Sequence, residues 1–305
     1  MRQLAARVAV KARVIPFPLR RQANAGLASS GSDQPASQTS SVFRQIRATW
    51  RLIIVAQHLL WGCAVVAGTF RFRSPESQRR AKRIWSHQLL SRLGVELRAF
   101  GEVPQRGGVL IAANHISWID IFVINALRPC AFVCKEEIRA WPLIGWLVAN
   151  TETVFIERGN RRAARRTAET LKHRLAGDSA IVVFPEGTTT NGTHLLPFRP
   201  AMMQAAVDAE VPVVPVALRY RDPQHPISPA PAYDGDISLW ECLRAIALAD
   251  GLVAETHVLE AIDTRRERQH IAAHAHSEIA TRLGFIETCI EEAEVEELPA
   301  DSAAA

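Results

Sequence analysis

Acidic residues are nearly missing from the first hundred positions, where Asp33, Glu76 and Glu96 stand against 17 Lys and Arg. The remainder of the 305-residue chain holds 28 acids and 19 bases, so a basic front is joined to an acidic body under a formal net charge of only +5. That asymmetry points the front toward something anionic, nucleic acid or a phospholipid surface. The five cysteines, Cys63, Cys130, Cys134, Cys242 and Cys289, include no C-x-x-C pair. A zinc ribbon is thereby excluded, and the odd number fits buried thiols in a reducing compartment. No G-x-S-x-G occurs, which removes the hydrolase nucleophile elbow. A secretory signal needs an unbroken apolar run behind its first charge, and Arg7, Lys11 and Arg13 interrupt this one. The lack of acid before Asp33 leaves an organelle transit peptide as an alternative reading of the same residues. No repeat of solenoid period is seen. With 48% apolar and 22% charged residues the chain can bury one large core or two ordinary ones, unlike a disulfide scaffold, a collagen-like polymer or a wholly disordered chain.

Residues 1–41 are rich in Arg, Ala, Ser and Gln, with little to bury, and are expected to form a disordered basic tail. Nineteen mostly apolar residues follow from Leu52 to Phe70, flanked by Arg44, Arg47 and Arg51 before and Arg71 and Arg73 after. As a helix they reach about 28 Å, close to the thickness of a bilayer's hydrocarbon core. A single crossing would put the basic tail opposite the body, against the positive-inside tendency, so a monotopic arrangement is favoured. Between 75 and 93, Ile84, Trp85, Leu89, Leu90 and Leu93 recur at helical spacing among Arg79, Arg80, Lys82 and Arg83. That pattern predicts a second helix lying in the headgroup layer, so residues 42–94 are read as a membrane-docking helix pair. Two amphipathic core helices would show the same period.

Beyond residue 95 short apolar runs alternate with helical ones. Strands are expected at Val95–Phe100, Gly108–Ala113, Cys130–Cys134, Thr153–Ile156, Ser179–Phe184, Val213–Leu218 and Thr256–Ile262. Helices are expected at Asn160–Ala176, capped by Asn160 and stopped at Gly177, and at Thr264–Leu283. The alternation predicts an α/β domain with a mixed sheet over 95–290. An acidic tail, 291–305, is expected to fray.

The strand GVLIAAN runs directly into Asn114-His115-Ile116-Ser117-Trp118-Ile119-Asp120. A His at a strand end with an Asp five residues later, in the first turn of a helix, lets the carboxylate bend back to the imidazole Nδ1–H. Such a pair makes Nε2 a general base, although an ordinary buried hydrogen bond would look alike. Ser117, beside a helix start, is expected to cap it. His270, His274 and His276 lie on the last helix, the first two at the i, i+4 spacing of helical zinc sites. Without a third ligand or a general base in the run they are read as exposed helix histidines, and no metal is expected.

The motif N-H-I-S-W-I-D is followed by V-F-I-E-R-G at 154–159, F-P-E-G-T at 184–188 and V-P-V-V-P-V at 211–216. In this order and spacing the chain resembles the glycerolipid acyltransferase family, best known for its 1-acylglycerol-3-phosphate acyltransferases. The resemblance covers roughly 95–262, and the helix pair before it is similar to that family's membrane-docking module. The resemblance implies that His115 and Asp120 are the catalytic dyad and that Arg158 grips the glycerol phosphate in two-pronged fashion. Glu157 stands where many members have Asp. Pro185 and Gly187 shape a tight turn, Thr188 and nearby N–H groups line an oxyanion or phosphate site, and Glu186 holds an Arg or a substrate hydroxyl. Thr189 departs from the pattern, since phosphatidate-forming members carry Arg there. Arg199, in L-P-F-R-P-A, is expected to supply that charge, and Pro212 with Pro215 to bracket a strand shaping the acyl pocket. The basic run Arg161, Arg162, Arg165 and Arg166 reads as a solvated face or as a contact for anionic lipid or an acidic acyl carrier.

The expectation is therefore a monotopic enzyme on the cytoplasmic face of a membrane, the inner one if bacterial. It would move a fatty acyl chain from acyl-CoA or acyl carrier protein, with no further cofactor, to the free hydroxyl of a lysolipid. Lysophosphatidate is the first acceptor and a lyso-ornithine lipid or another lysolipid the alternative. A non-catalytic lipid-binding membrane protein is the reading from another class. A nucleic-acid module is disfavoured, because a basic arm has no need of 19 apolar residues.

Overall fold

The computed structural model describes residues 36–140, 144–156 and 161–285. The expected basic tail through residue 35, the acidic tail 291–305, Glu157, Arg158 and the cap at Asn160 lie outside the described residues.

Helix α1 (Ala36–Thr69) is followed by α2 (Pro75–Leu93), whose ends are set by local chemistry. Ser74 accepts from the Ser77 N–H, Pro75 occupies the first helical position where no N–H is needed, and Gly94 takes the left-handed conformation (φ 82°) that ends the helix. Strands β1 (Val95–Phe100) and β2 (Val109–Ala113) lead to α3 (Asp120–Leu127), β3 (Ala131–Lys135), α4 (Ile144–Ala149) and β4 (Val154–Ile156). Helix α5 (Arg161–Ala176), β5 (Ala180–Val183), α6 (Gln204–Asp208) and β6 (Val213–Arg221) precede α7 (Leu239–Leu248), β7 (Leu252–Val258) and α8 (Arg268–Leu283).

The seven strands form one mixed sheet in the order β1-β7-β6-β2-β5-β3-β4, in which β6 and β7 pair antiparallel and the other neighbours parallel. The central strands β2 and β5 are buried along their whole length, as expected of strands covered on both faces. Period-2 alternation divides their side chains between two cores. Val109, Ile111, Ala180, Val182, Val214, Val216 and Leu218 pack with α2, α3 and α7, whereas Leu110, Ala112, Ile181, Val183, Val213 and Ala217 pack with α5, α6 and α8.

The helix pair is joined to the first of these cores. Leu89, Leu90 and Leu93 of α2 and Val55 of α1 belong to it. Lys82 donates to the carbonyls of Cys130 and Thr151, and Arg83 to that of Ala126 at 3.1 Å. The expectation that α2 lies in a headgroup layer is corrected accordingly: three of its five apolar positions close the domain core, and only Ile84 among the large ones is strongly exposed. Helix α1 docks on α7, where Arg51 donates to the carbonyls of Ala247 and Ala249 at 2.9 Å, Arg47 to that of Leu248 at 3.3 Å, and Arg47 also pairs with Asp250. Cations at a helix C-terminus satisfy its orphan carbonyls and oppose its dipole.

Several boundaries differ from expectation. Helix α1 starts at Ala36, inside the tail expected to extend to residue 41, and β6 continues past Leu218 to Arg221. The last strand runs over 252–258 rather than 256–262, because Gly251 (φ 61°) turns the end of α7 directly into it. Ile262 makes only an isolated bridge to Val213, and the last helix starts four residues late, at Arg268.

Candidate active site

Strand β2 ends at the middle of the sheet, and the crevice beyond the carboxyl ends of its parallel strands is where such folds place ligands. Asn114 continues the pairing after the strand has stopped: its side-chain amide donates to the Leu218 carbonyl at 3.0 Å, and its oxygen accepts from the Leu218 N–H at 2.7 Å. The imidazole of His115 follows, stacked on Phe184 with ring centroids 3.9 Å apart.

His115 Nδ1 and Asp120 Oδ2 lie 2.8 Å apart. The His115 side chain is 20% exposed and that of Asp120 is 0% exposed, so one end of the pair reaches solvent and the other is buried. Asp120 Oδ2 also accepts from the backbone N–H groups of Ile116 (2.8 Å) and Ser117 (2.9 Å), and Oδ1 accepts from the Tyr220 hydroxyl at 2.6 Å. Four donors thus compensate a carboxylate with no water around it. Nε2 of His115 has no partner among the described residues, and is the ring nitrogen available to a substrate.

The F-P-E-G-T turn clamps the same loop from the other side. Glu186 is buried, its Oε1 accepts from the His115 N–H at 2.7 Å, and its Oε2 accepts from the Leu196 N–H at 3.0 Å. Burial pushes the Glu186 carboxyl up to about 7 despite those two bonds, with the nearby charge of Asp120 adding to the rise. Gly187 has φ 76°, a conformation that favours glycine, and the Arg199 guanidinium lies directly against it, 2.7 Å from where a Cβ would stand. Thr190 N–H donates to the His115 carbonyl at 2.9 Å, Tyr233 N–H to the Ile116 carbonyl at 3.0 Å, and the Thr189 hydroxyl to the Tyr233 carbonyl, joining the two clamps.

The predicted residues fall into three groups. His115, Asp120, Glu186, Gly187 and Arg199 are brought together, with Thr188 exposed on the same turn. The Arg199 guanidinium is exposed and has no acid partner among the described residues. Glu186 holds backbone N–H groups rather than the expected arginine or substrate hydroxyl. Arg158 lies outside the described residues. Pro212 is not brought to the site: its carbonyl accepts from Leu110 N–H at the start of β2, opposite the end that delivers His115 and about 15 Å away at ~3.3 Å per residue. The expected cap is corrected as well. Ser117 Oγ is buried without a hydrogen bond, and the Asp120 carboxylate takes the Ser117 N–H instead. Among the described residues no group of three potential metal ligands occurs, and His276 packs edge-on against Phe198 rather than with His270 or His274.

Tyr220 and Tyr233 stand outside the motifs, and Asn114 and Phe184, which open two of them, have no role that the motifs alone assign, since each acts through a contact distant in sequence. The clue for Tyr220 is only a polar side chain near the end of an otherwise apolar strand.

Residues 95–219 match the family model described as Acyltransferase. A 1-acyl-sn-glycerol-3-phosphate acyltransferase of Neisseria meningitidis is 39% identical over 173 residues, 56% of this chain and 68% of that protein. The chain belongs to the acyltransferase family. A lyso-ornithine lipid O-acyltransferase of Pseudomonas aeruginosa is also 39% identical, over 215 residues, 69% of this chain and 80% of that protein. The acyltransferase fold is shared with the crystal structure of the 1-acyl-sn-glycerophosphate acyltransferase PlsC from Thermotoga maritima, at TM-score 0.59 and 20% identity over 86% of this chain and 99% of that one.

Proposed function

We propose that this acyltransferase moves a fatty acyl chain from an acyl thioester to the free hydroxyl of 1-acylglycerol-3-phosphate, giving phosphatidate. The observation that carries the reading is the His115–Asp120 pair with its unpartnered Nε2 at the crevice. Nε2 takes the hydroxyl proton as the oxygen attacks the thioester carbonyl, and Asp120 stabilises the imidazolium that forms. The tetrahedral intermediate collapses with loss of the thiolate, which receives the proton from His115. A thiolate is a good leaving group and no covalent enzyme intermediate is required. The donor is acyl-CoA or an acyl carrier protein, and no further cofactor enters.

The acceptor assignment draws on the Neisseria relative's name and on the free guanidinium of Arg199 over the Gly187 turn, with Arg158 assigned to the same phosphate by the motif resemblance alone. A second reading, a lyso-ornithine acceptor, draws on Thr189: its hydroxyl is engaged by the Tyr233 carbonyl, leaving this position no charge for a phosphate, and the Pseudomonas relative bears that name.

The outward face of α1 carries Phe43, Ile46, Trp50, Ile53, Leu60 and Trp61, all exposed, and Ser41–Phe72 is long and apolar enough to cross a membrane. Because both halves of α1 pack on the body, through α7 and α2, the reading is a helix lying in the cytoplasmic leaflet's surface. The deciding experiment offers purified protein and labelled acyl thioester lysophosphatidate, lyso-ornithine lipid and an uncharged monoacylglycerol, with Arg199→Ala alongside. Lysophosphatidate should turn over fastest, and Arg199→Ala should raise its KM on the order of 10-fold more than that of the uncharged acceptor. Faster turnover of lyso-ornithine lipid moves the assignment to the second reading, and an equal penalty on both acceptors removes Arg199 from phosphate binding.

A further inference from the structure

We propose that Tyr220 is a positioning residue of the reaction, its phenol fixing the second oxygen of Asp120 from the neighbouring strand β6 and thereby setting the basicity of His115. The inference rests on the general-base reading above.

Three of the four donors to Asp120 reach one oxygen, Oδ2, and all three come from the loop that Asp120 itself terminates: His115 Nδ1, Ile116 N–H and Ser117 N–H. They hold the carboxylate to its own loop but leave Oδ1 to be fixed by something else. Tyr220 supplies that bond at 2.6 Å from β6, a hundred residues later in the chain. Its own placement is rigid. Tyr220 is 1% exposed, its backbone pairs with Ala254 of β7, and its carbonyl accepts from Ser228 N–H at 2.8 Å. Two residues earlier, Leu218 is held by Asn114 through two bonds, so β6 and the His115 loop are kept in register immediately beside the phenol.

A donor on Oδ1 has an electrostatic consequence. It withdraws negative charge from the carboxylate, which then stabilises the His115 imidazolium less, so His115 is a weaker base and releases its proton to the thiolate more readily. The phenol can play this part at every working pH, because burial and the Asp120 charge hold Tyr220 well above the usual tyrosine range and it remains O–H. The other titratable groups around the pair are Glu186 on the turn after β5 and Cys242 on α7, with the exposed Arg199 against Gly187. Among the described residues no Lys or Arg touches Asp120 and Oδ1 has the phenol as its donor, so removal of the phenol leaves that buried oxygen uncompensated.

The test is the pH dependence of kcat/KM for acyl transfer in wild type, in Tyr220→Phe, and with 3-fluorotyrosine at position 220, a more acidic phenol and so a stronger donor. Tyr220→Phe should lower kcat about 10-fold with both substrate KM values unchanged and move the acid limb about one pH unit upward. The fluorinated side chain should move the acid limb in the opposite direction. A Tyr220→Phe enzyme with the wild-type kcat and acid limb overturns the proposal, as does a kcat loss with an unmoved limb, which marks a purely structural role. If Tyr220→Phe does not fold, the fluorotyrosine protein decides alone: an acid limb at its wild-type position overturns the assignment. Activity in His115→Ala would instead overturn the general-base reading itself, so the two failures are distinguishable.

Discussion

Glu186 has both carboxylate oxygens on backbone N–H groups, yet burial lifts it to about 7 from an ordinary 4.5. Between those values the folded chain holds a proton that the unfolded chain has released. The stability this proton contributes is complete below about 4.5 and is lost as pH rises through about 7. Glu186→Gln should remove that slope, and should also cost about 1–3 kcal/mol, because its NH2 group must face one of the two N–H donors. Thermal unfolding at pH 5 and pH 8 reads both effects; an unchanged difference between the two pH values would show that another group titrates. The residues that carry the pair were legible in part. His115 and Asp120 stand five apart, and a helix start bends the one back to the other. Tyr220 was not, because nothing local says that a tyrosine at a strand edge will meet a carboxylate a hundred residues away. Ser117 differs for a related reason: a serine before a helix suits a cap, but α3 starts at Asp120 with Ile119 in the cap position, and the aspartate reaches back to the N–H of Ser117 itself.

At the scale of elements, the helix pair serves two surfaces. Its inner side is core, with Ala48, Val55, His58 and Leu89 buried, while Trp50 and Trp61 are exposed to 62% and 65%. Trp50→Ser with Trp61→Ser should leave the melting temperature unaltered and weaken sedimentation with anionic vesicles about 10-fold or more, since a buried large apolar side chain is worth about 1.5–3 kcal/mol. Unaltered vesicle binding would place the membrane contact elsewhere. The 3.6 period announced both helices, but period alone does not say which stripe meets lipid and which meets protein, and the α2 stripe met protein. Strand direction explains the misplacement of Pro212 in the same way. Its block is expected near the site, whereas in parallel β2 and β6 the residue preceding β6 lies beside the start of β2, at the far end from His115, which follows β2.

Over the whole molecule, the basic helices α1 and α2 of the front lie on one face of the sheet and the basic α5 on the other, while the His115 loop stands at the carboxyl ends of the central strands. Six of the seven strands and the alternation with helices were readable because central strands, buried on both faces, are nearly continuous apolar runs. The order of strands was not readable, and that order brings β2, β5 and β6 side by side, so that N-H-I-S-W-I-D, F-P-E-G-T and Tyr220 share one end. What this assembly is proposed to do reduces to one proton held at one nitrogen. Transfer of a labelled acyl group from a thioester to lysophosphatidate, followed for wild type and His115→Ala in the same detergent, measures it. The expected result is a rate lowered about 10²- to 10⁴-fold in His115→Ala with the melting temperature and vesicle binding retained. Turnover near the wild-type rate in that variant would contradict the account.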